Sequence, residues 1–150
     1  MKFNKMFIAL LLLIVVSCVG IACAEEVSVA DHKFTIPDGY KVLNTTDDSV
    51  VLTQDDNHVI VVMVPEVVKN ANEAKSYLED KGYKFIGEDS YNADGKEVQQ
   101  QNYEKEGFTV MSYIIPAGDD QCIVTFTIPA DETAPEGADN PVTTVLDSIS

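Results

Sequence analysis

Short apolar runs bounded by turn residues recur through most of the chain and predict β-strands. An early run ends in Pro37-Asp38-Gly39, where proline presets a turn and glycine accepts its positive φ. Residues 59–64 are apolar without polar alternation, so both faces of that strand should be covered, and we assign it to the centre of the sheet. The strand signals cover residues 27–36, 40–43, 49–54 and 58–64, and then 83–91, 96–105, 108–116 and 121–129.

Two segments replace this pattern with helical periodicity. Asn70 with Glu73 three residues later forms a capping-box signature, and Gly82 closes the apolar stripe, which predicts a helix over residues 71–81. Asn140-Pro141 begins a second helix, whose apolar positions recur at i, i+3, i+4 and i+7. The residues of that second stripe are Val142, Val145, Leu146 and Ile149.

The order of elements predicts one α+β domain over residues 25–150. This length is sufficient to bury a core without disulfides. Two of the three cysteines, Cys18 and Cys23, precede the domain, so Cys122 alone remains and cannot close an internal disulfide. Cys122 lies in an apolar strand run, which predicts a buried and unreactive thiol.

The segment Phe34-Thr35-Ile36-Pro37-Asp38-Gly39-Tyr40 resembles the opening F-x-[IV]-P-x-G-[FY] of PsbP-like and Mog1-like domains, and the order of elements agrees with theirs over residues 27–150. The resemblance implies an antiparallel β-sheet flanked by helices, an α/β/α sandwich, without enzymatic activity. Members of this kind are photosystem accessory subunits, nuclear-transport cofactors or uncharacterised exported lipoproteins. The motif is structural, so it transfers no functional residue to this chain.

The first 24 residues carry the pattern of an export signal. Two lysines precede an apolar run that ends in the small residues Ala22 and Ala24, which predicts cleavage after Ala24. Two alternatives stay open. Residues 15–18 are similar to a lipoprotein signal, which would leave lipidated Cys18 at the N-terminus, and the apolar segment is also long enough to remain as a membrane anchor. All three predict an extracytoplasmic domain, either secreted or tethered to the membrane.

Acidic side chains dominate the domain. Residues 25–150 hold 8 lysines, no arginine, and 25 aspartates and glutamates, a net charge of −17. Such a surface repels nucleic acid and anionic lipid, and it attracts divalent cations or a basic partner. Nucleotide binding and phosphoryl transfer are disfavoured, because the chain has neither arginine nor a glycine-rich phosphate loop.

Candidate chemistry is sparse. Only His32 and His58 could act as imidazole bases or transition-metal ligands, and neither lies in a motif that aims it at a serine or completes a metal site. We therefore predict no catalytic residue and no cofactor, with calcium as the one hypothesis. Calcium takes oxygen ligands, which three acidic pairs in predicted turns could supply. These pairs are Asp47 and Asp48, Asp55 and Asp56, and Asp119 and Asp120.

Two further features concern the surface. The strand through residues 99–103 is polar on both faces, which suits a sheet edge or an interaction surface formed by Gln99, Gln101 and Tyr103. Asn44 begins a glycosylation sequon in a predicted loop.

We therefore expect an exported, non-catalytic binding or accessory module at the cell envelope. Its partner would be an unidentified protein, not nucleic acid, and it would touch the membrane only through the N-terminal segment. Two alternative functions stay open. A calcium-dependent structural module requires that the acidic turns converge, and a hydrolase with a dispersed site requires a histidine in a cleft beside a hydroxyl or carboxylate.

Overall fold

The computed structural model of the chain describes residues 25–93 and 95–150. The predicted export signal, with Ala22, Ala24 and Cys18, lies outside these residues. Neither described helix has the length and apolar character that a membrane crossing requires. The described elements are β1 (Glu26–Val29), β2 (His32–Thr35), β3 (Lys41–Thr45), β4 (Ser49–Asp55), β5 (His58–Met63), α1 (Ala71–Glu79), β6 (Lys84–Ala93), β7 (Lys96–Lys105), β8 (Phe108–Ala117), β9 (Asp120–Pro129), a 3-10 turn (Gly137–Asp139) and α2 (Pro141–Ser148).

Seven strands form one antiparallel sheet in the order β3-β4-β5-β9-β8-β7-β6, and β1 pairs with β2 in a separate hairpin. The middle strand is β9, so the prediction that residues 59–64 form the central strand is wrong; β5 lies third from one edge. Ile60 and Val62 are buried, whereas Val59 and Val61 on the other face of β5 are half-buried. The reason is that the helix on that side packs mainly over β7, β8 and β9.

The main core lies on one face of the sheet. The β1-β2 hairpin and α2 cover this face, and the apolar stripe of α2 is buried as predicted. Phe34 from the hairpin and Leu146 from α2 pack in the same cluster as Phe126 of β9. The two covers are also joined to each other, because the backbone N–H of Ser150 donates to the carbonyl of Lys33 at 3.1 Å.

Helix α1 covers the opposite face. The Asn70 side chain accepts from the N–H of Glu73 at 2.9 Å, as the capping signature predicts. The Glu73 carboxylate reaches back to the N–H of Lys69 at 2.6 Å, one residue beyond the usual capping-box donor. The buried side chains of α1 are Ala74 and Leu78. Because the two helices pack on opposite faces, the domain is the expected α/β/α sandwich.

Strand β7 is not the exposed polar surface that its glutamines suggest. It lies between β6 and β8, and Gln101 is 1% and Tyr103 0% exposed, so the prediction that these two residues form an interaction surface is wrong. The Tyr103 hydroxyl donates to Oε1 of Gln101 at 2.7 Å, and Nε2 of Gln101 donates to the carbonyl of Ala71 at 3.0 Å. These bonds satisfy the buried polar groups and attach the first turn of α1 to the sheet.

Replacing Gln101 with leucine removes the acceptor of the buried Tyr103 hydroxyl. We expect the free energy of unfolding to fall by about 1–3 kcal/mol, the usual cost of a buried unpaired polar group. Urea denaturation followed by circular dichroism measures this loss. Gln99→Leu is the matched control, since Gln99 is half-buried on the same face of the same strand and should change stability by less than about 0.5 kcal/mol. Equal losses in the two variants would contradict the role given to Gln101.

Candidate functional site

The His32 imidazole lies between two hydrogen-bond acceptors. Its Nδ1 is 3.1 Å from the carbonyl oxygen of Ser150, and its Nε2 is 2.9 Å from Oδ2 of Asp120. A carbonyl and a carboxylate only accept hydrogen bonds, so the site fits the doubly protonated ring, which can donate from both nitrogens. The bond to Asp120 raises the pKa of His32, against the opposing effect of burial. His32 thus ties β2 to the start of β9 and to the segment after α2.

His58 is held in the same way at the other end of the sheet. Its Nδ1 lies 2.8 Å from Oδ1 of Asp55, and its Nε2 lies 2.7 Å from Oε2 of Glu132. The hydrogen bond to Asp55, and after it the one to Glu132, raise the pKa of His58. The same bond to His58 lowers the pKa of Asp55. This contact ties the β4-β5 turn to the loop that follows β9.

These contacts bear on the hydrolase alternative. Both histidines lie beside a carboxylate and neither is fully exposed, which is the environment that the alternative requires. A general base, however, needs a ring nitrogen with an available lone pair, and in both rings acceptors occupy the two nitrogens. The Cys122 thiol is 0% exposed, and burial raises its pKa to about 12, which opposes formation of the reactive thiolate.

A groove of about 730 Å³ opens beside the β3-β4 turn, the segment that follows β5, and the start of β9. No lysine lines it. Val67 in its wall is 71% exposed, the highest fraction among the exposed large apolar side chains of the described residues. Five carboxylates line the groove, those of Asp31, Asp47, Asp48, Glu66 and Asp120. Of these, Asp120 bonds to His32, whereas Asp48 accepts from the Thr46 hydroxyl at 3.0 Å.

The six aspartates proposed as calcium ligands do not come together. Asp47, Asp48 and Asp120 line the groove, and Asp119 is the neighbour of Asp120 in the chain. Asp55 ends β4 and Asp56 follows it, so both lie at the other end of this seven-residue strand, roughly 20 Å away. Among the described residues, no group of three or more histidine, cysteine, aspartate or glutamate side chains is placed to hold a metal ion.

The remaining predicted surface residues have mixed outcomes. Gln99 is half-buried beside the first turn of α1, where it lines a smaller groove with Lys69 and Glu97. Asn44 lies on strand β3 rather than in a loop, and it is exposed at the edge of the sheet. The sequon is therefore accessible, although not where the turn signals placed it.

The histidine contacts were not predicted from the sequence. The spacing Asp55-x-x-His58 is local and could have indicated the first contact of His58. Glu132 lies 74 residues from His58, and Asp120 lies 88 residues from His32. These pairs depend on strand order, which local sequence patterns do not encode.

The antiparallel sheet with a helix on each face has a fold similar to that of a solved structure. The domain is similar to the solution structure of cyanobacterial PsbP (CyanoP) from Synechocystis sp. PCC 6803, with a TM-score of 0.52 and 11% sequence identity over 71% of this chain and 81% of that one. The fold is PsbP-like. At this identity the similarity to PsbP concerns the fold alone.

A second solved structure, of a protein from Bacteroides thetaiotaomicron VPI-5482, matches with a TM-score of 0.47 and 10% identity over 85% of this chain and 48% of that one. This weaker likeness adds nothing to the PsbP-like assignment. No protein-family description and no curated protein sequence matches the chain.

The hydrogen bonds of His32 and His58 to carboxylates predict that the stability of the fold depends on pH. The pKa values of both histidines are raised in the folded protein. Their contribution to folding stability is therefore complete below the pKa of an unfolded histidine, about 6.5, and is lost as the pH rises through their pKa values in the folded protein. We expect the free energy of unfolding, measured in urea, to decrease from pH 6 to pH 8.5. The double variant His32→Gln/His58→Gln should be less stable at pH 6 and show a flatter profile. A wild-type slope that persists in the double variant would refute this origin.

The thiol environment predicts that Cys122 is unreactive in the folded protein. With residues 25–150, which contain this one cysteine, we expect a thiol reagent such as DTNB to react at least about a hundredfold more slowly in buffer than in denaturing urea. Absorbance of the released thionitrobenzoate follows the reaction. If Cys122 reacted at comparable rates in buffer and in urea, β9 would open readily and the thiol would not be buried in the core.

Proposed function

We propose that this protein is a non-catalytic binding module that works outside the cytoplasmic membrane and binds a basic partner through the acidic groove. The observation that carries the proposal is the groove of about 730 Å³ with five carboxylates, no lysine and an exposed valine. An exposed apolar side chain in a groove lined by acidic groups, one of which, Asp120, is paired with His32, is typical of a surface that another molecule covers.

Electrostatics supports a basic partner. Carboxylates of one groove reinforce one another in attracting positive charge, since the protein interior behind them screens the field less than water does. The excess of acidic over basic residues extends this attraction over the whole domain. A positive partner would be steered to the groove, and an anionic one would be repelled.

The location rests on the N-terminal pattern. A lysine-flanked apolar run ending at Ala22 and Ala24 is an export signal, whether it is cleaved, lipidated at Cys18 or retained as an anchor. The absence of an internal disulfide is compatible with this location, because the buried apolar core on both faces of the sheet stabilises the domain.

The contacts of the histidines support a non-catalytic role. His32 and His58 are the only imidazoles of the chain, and each has an acceptor of the fold within hydrogen-bond distance of both its nitrogens. Breaking these bonds to release a base would separate elements that the histidines join. A binding function that uses only the protein surface leaves these hydrogen bonds intact.

Titration with a decalysine peptide, followed by isothermal calorimetry, tests the groove. The variant Asp47→Asn/Asp48→Asn removes two groove carboxylates and keeps their shape. We expect its affinity for the peptide to fall about tenfold, equivalent to about 1.4 kcal/mol.

The matched control is Asp56→Asn/Asp131→Asn, which removes two exposed carboxylates outside the groove and changes the net charge equally. Its affinity should fall by less than threefold. If both variants lose the same affinity, net charge alone explains the binding and the groove is not the site.

A further inference from the structure

The sheet ends in two edges of different character. Strand β3 at one edge has five residues, begins with Lys41, and has a register irregularity between Val42 and Asn44. Short length and bulges are among the usual devices that prevent another strand from pairing with an edge, whereas the first-position lysine is common to β3 and β6. This edge is therefore protected.

Strand β6 at the other edge has ten residues, Lys84–Ala93. Its one irregularity lies between Phe85 and Gly87, and the pairing with β7 is regular from Gly87 to Ala93. The regular stretch contains neither lysine nor proline. Seven successive residues are thus available to a pairing strand, which is unusual for an edge that only solvent covers.

The backbone groups that face outward can be identified. Ala93 and Lys96 close the β6-β7 hairpin, and the closing pair of a two-residue hairpin is hydrogen-bonded. Because the pattern alternates, the outward N–H and C=O groups belong to Glu88, Ser90 and Asn92. The Asp89 side chain confirms this orientation, since its Oδ1 accepts from the N–H of Ser90 at 2.8 Å.

The side chains beside this edge suit an added strand. Tyr91 is 40% exposed and borders a groove of about 560 Å³ between β6–β8 and residues 133–137. Gln100, which is directly opposite Asp89 in the pairing with β7, lines the same groove. A strand added to β6 would place every second side chain on the sheet face that carries this groove, next to Tyr91.

We infer that residues 87–93 of β6 receive an extended, basic segment of a partner polypeptide by strand addition. Unpaired strand backbone is satisfied best by another strand, which supplies donors and acceptors at the matching spacing. The charge of this edge favours a basic segment, because Glu88 and Asp89 place one carboxylate on each side of the sheet. Two copies of the chain would bring these carboxylates together, so a second copy is disfavoured.

Asp89 selects among partner segments. Its carboxylate occupies the N–H of Ser90, so an incoming carbonyl has to displace it. A lysine or arginine of the segment can pair with the displaced carboxylate, whereas a neutral or acidic segment leaves it without compensation. This surface is distinct from the acidic groove, which lies by the β3-β4 turn at the other side of the sheet, so the inference goes beyond the proposed function.

A nine-residue peptide of alternating lysine and threonine tests the inference, with its glutamate–threonine counterpart as the control peptide. We expect the lysine peptide to bind the purified protein and to shift the amide NMR signals of Glu88, Ser90 and Asn92, while the glutamate peptide does not bind. Ser90→Pro removes one outward N–H at a position where an edge strand tolerates proline, and it should weaken binding at least about tenfold. Ser90→Thr keeps the N–H and should bind within about twofold of wild type.

Ser90→Pro and Ser90→Thr have the same charge, so unspecific electrostatic attraction cannot explain a difference in their affinity for the peptide. Equal binding by the two variants would overturn the inference, as would self-association of the protein through β6 in the absence of peptide. If Ser90→Pro does not fold, amide exchange in the wild type decides: slower exchange at Ser90 and Asn92 with peptide supports strand addition, and unchanged exchange refutes it.

The groove variant Asp47→Asn/Asp48→Asn separates the two surfaces. It should keep the affinity for the lysine–threonine peptide within about twofold. Loss of binding in this variant, together with unchanged binding in Ser90→Pro, would assign the peptide to the acidic groove and overturn strand addition while leaving the proposed function intact.

Discussion

Burial of both faces of the β8-β9 hairpin is the constraint on which the rest of the fold depends. Every residue from Val110 to Ile115 is buried, and on β9 the stretch from Cys122 to Phe126 is buried as well. A strand pair that is buried on both sides needs a cover on each side. Helix α1 supplies one, and the β1-β2 hairpin with α2 supplies the other, so elements far apart in the chain converge on these two strands.

The polar contacts of the domain connect its periphery to this centre. Asp120 is the first residue of β9, and through His32 it holds both β2 and the segment after α2. Glu132 follows the end of β9 and holds the β4-β5 turn through His58. The His32–Asp120 and His58–Glu132 contacts lie at the two ends of the middle strand, β9. The two imidazoles thus fix covers and loops to the core, and this structural use accounts for the carboxylate that lies beside each of them.

Local signals in the sequence were sufficient for the elements, and the resemblance carried by residues 34–40 implied the PsbP-like architecture. Asn70 and Asn140 cap the two helices, and the β-rich runs became strands, because caps, turns and periodicity depend on near neighbours. Strand order could not be read in this way. The apolar run of β5 and the polar run of β7 both indicated the wrong position, since burial depends on which element covers a strand and not only on its own composition. Gln101 illustrates this: it is polar and buried, because Tyr103 and Ala71 complement it.

That buried glutamine belongs to a row that makes the two faces of the sheet chemically different. Gln101, Ser112 and Thr125 lie directly opposite one another on β7, β8 and β9, all under the side of α1. The Ser112 hydroxyl is buried without a hydrogen-bond partner among the described residues, which costs stability relative to an apolar side chain. On β8 and β9 the other face carries the apolar core. The hairpin and α2 therefore pack on the more apolar face, whereas α1 contacts the polar row through its first carbonyl, that of Ala71, which accepts from Gln101. The unpaired Ser112 hydroxyl lowers the stability of the fold. The row of Gln101, Ser112 and Thr125 makes the sheet face under α1 chemically different from the face under the β1-β2 hairpin and α2.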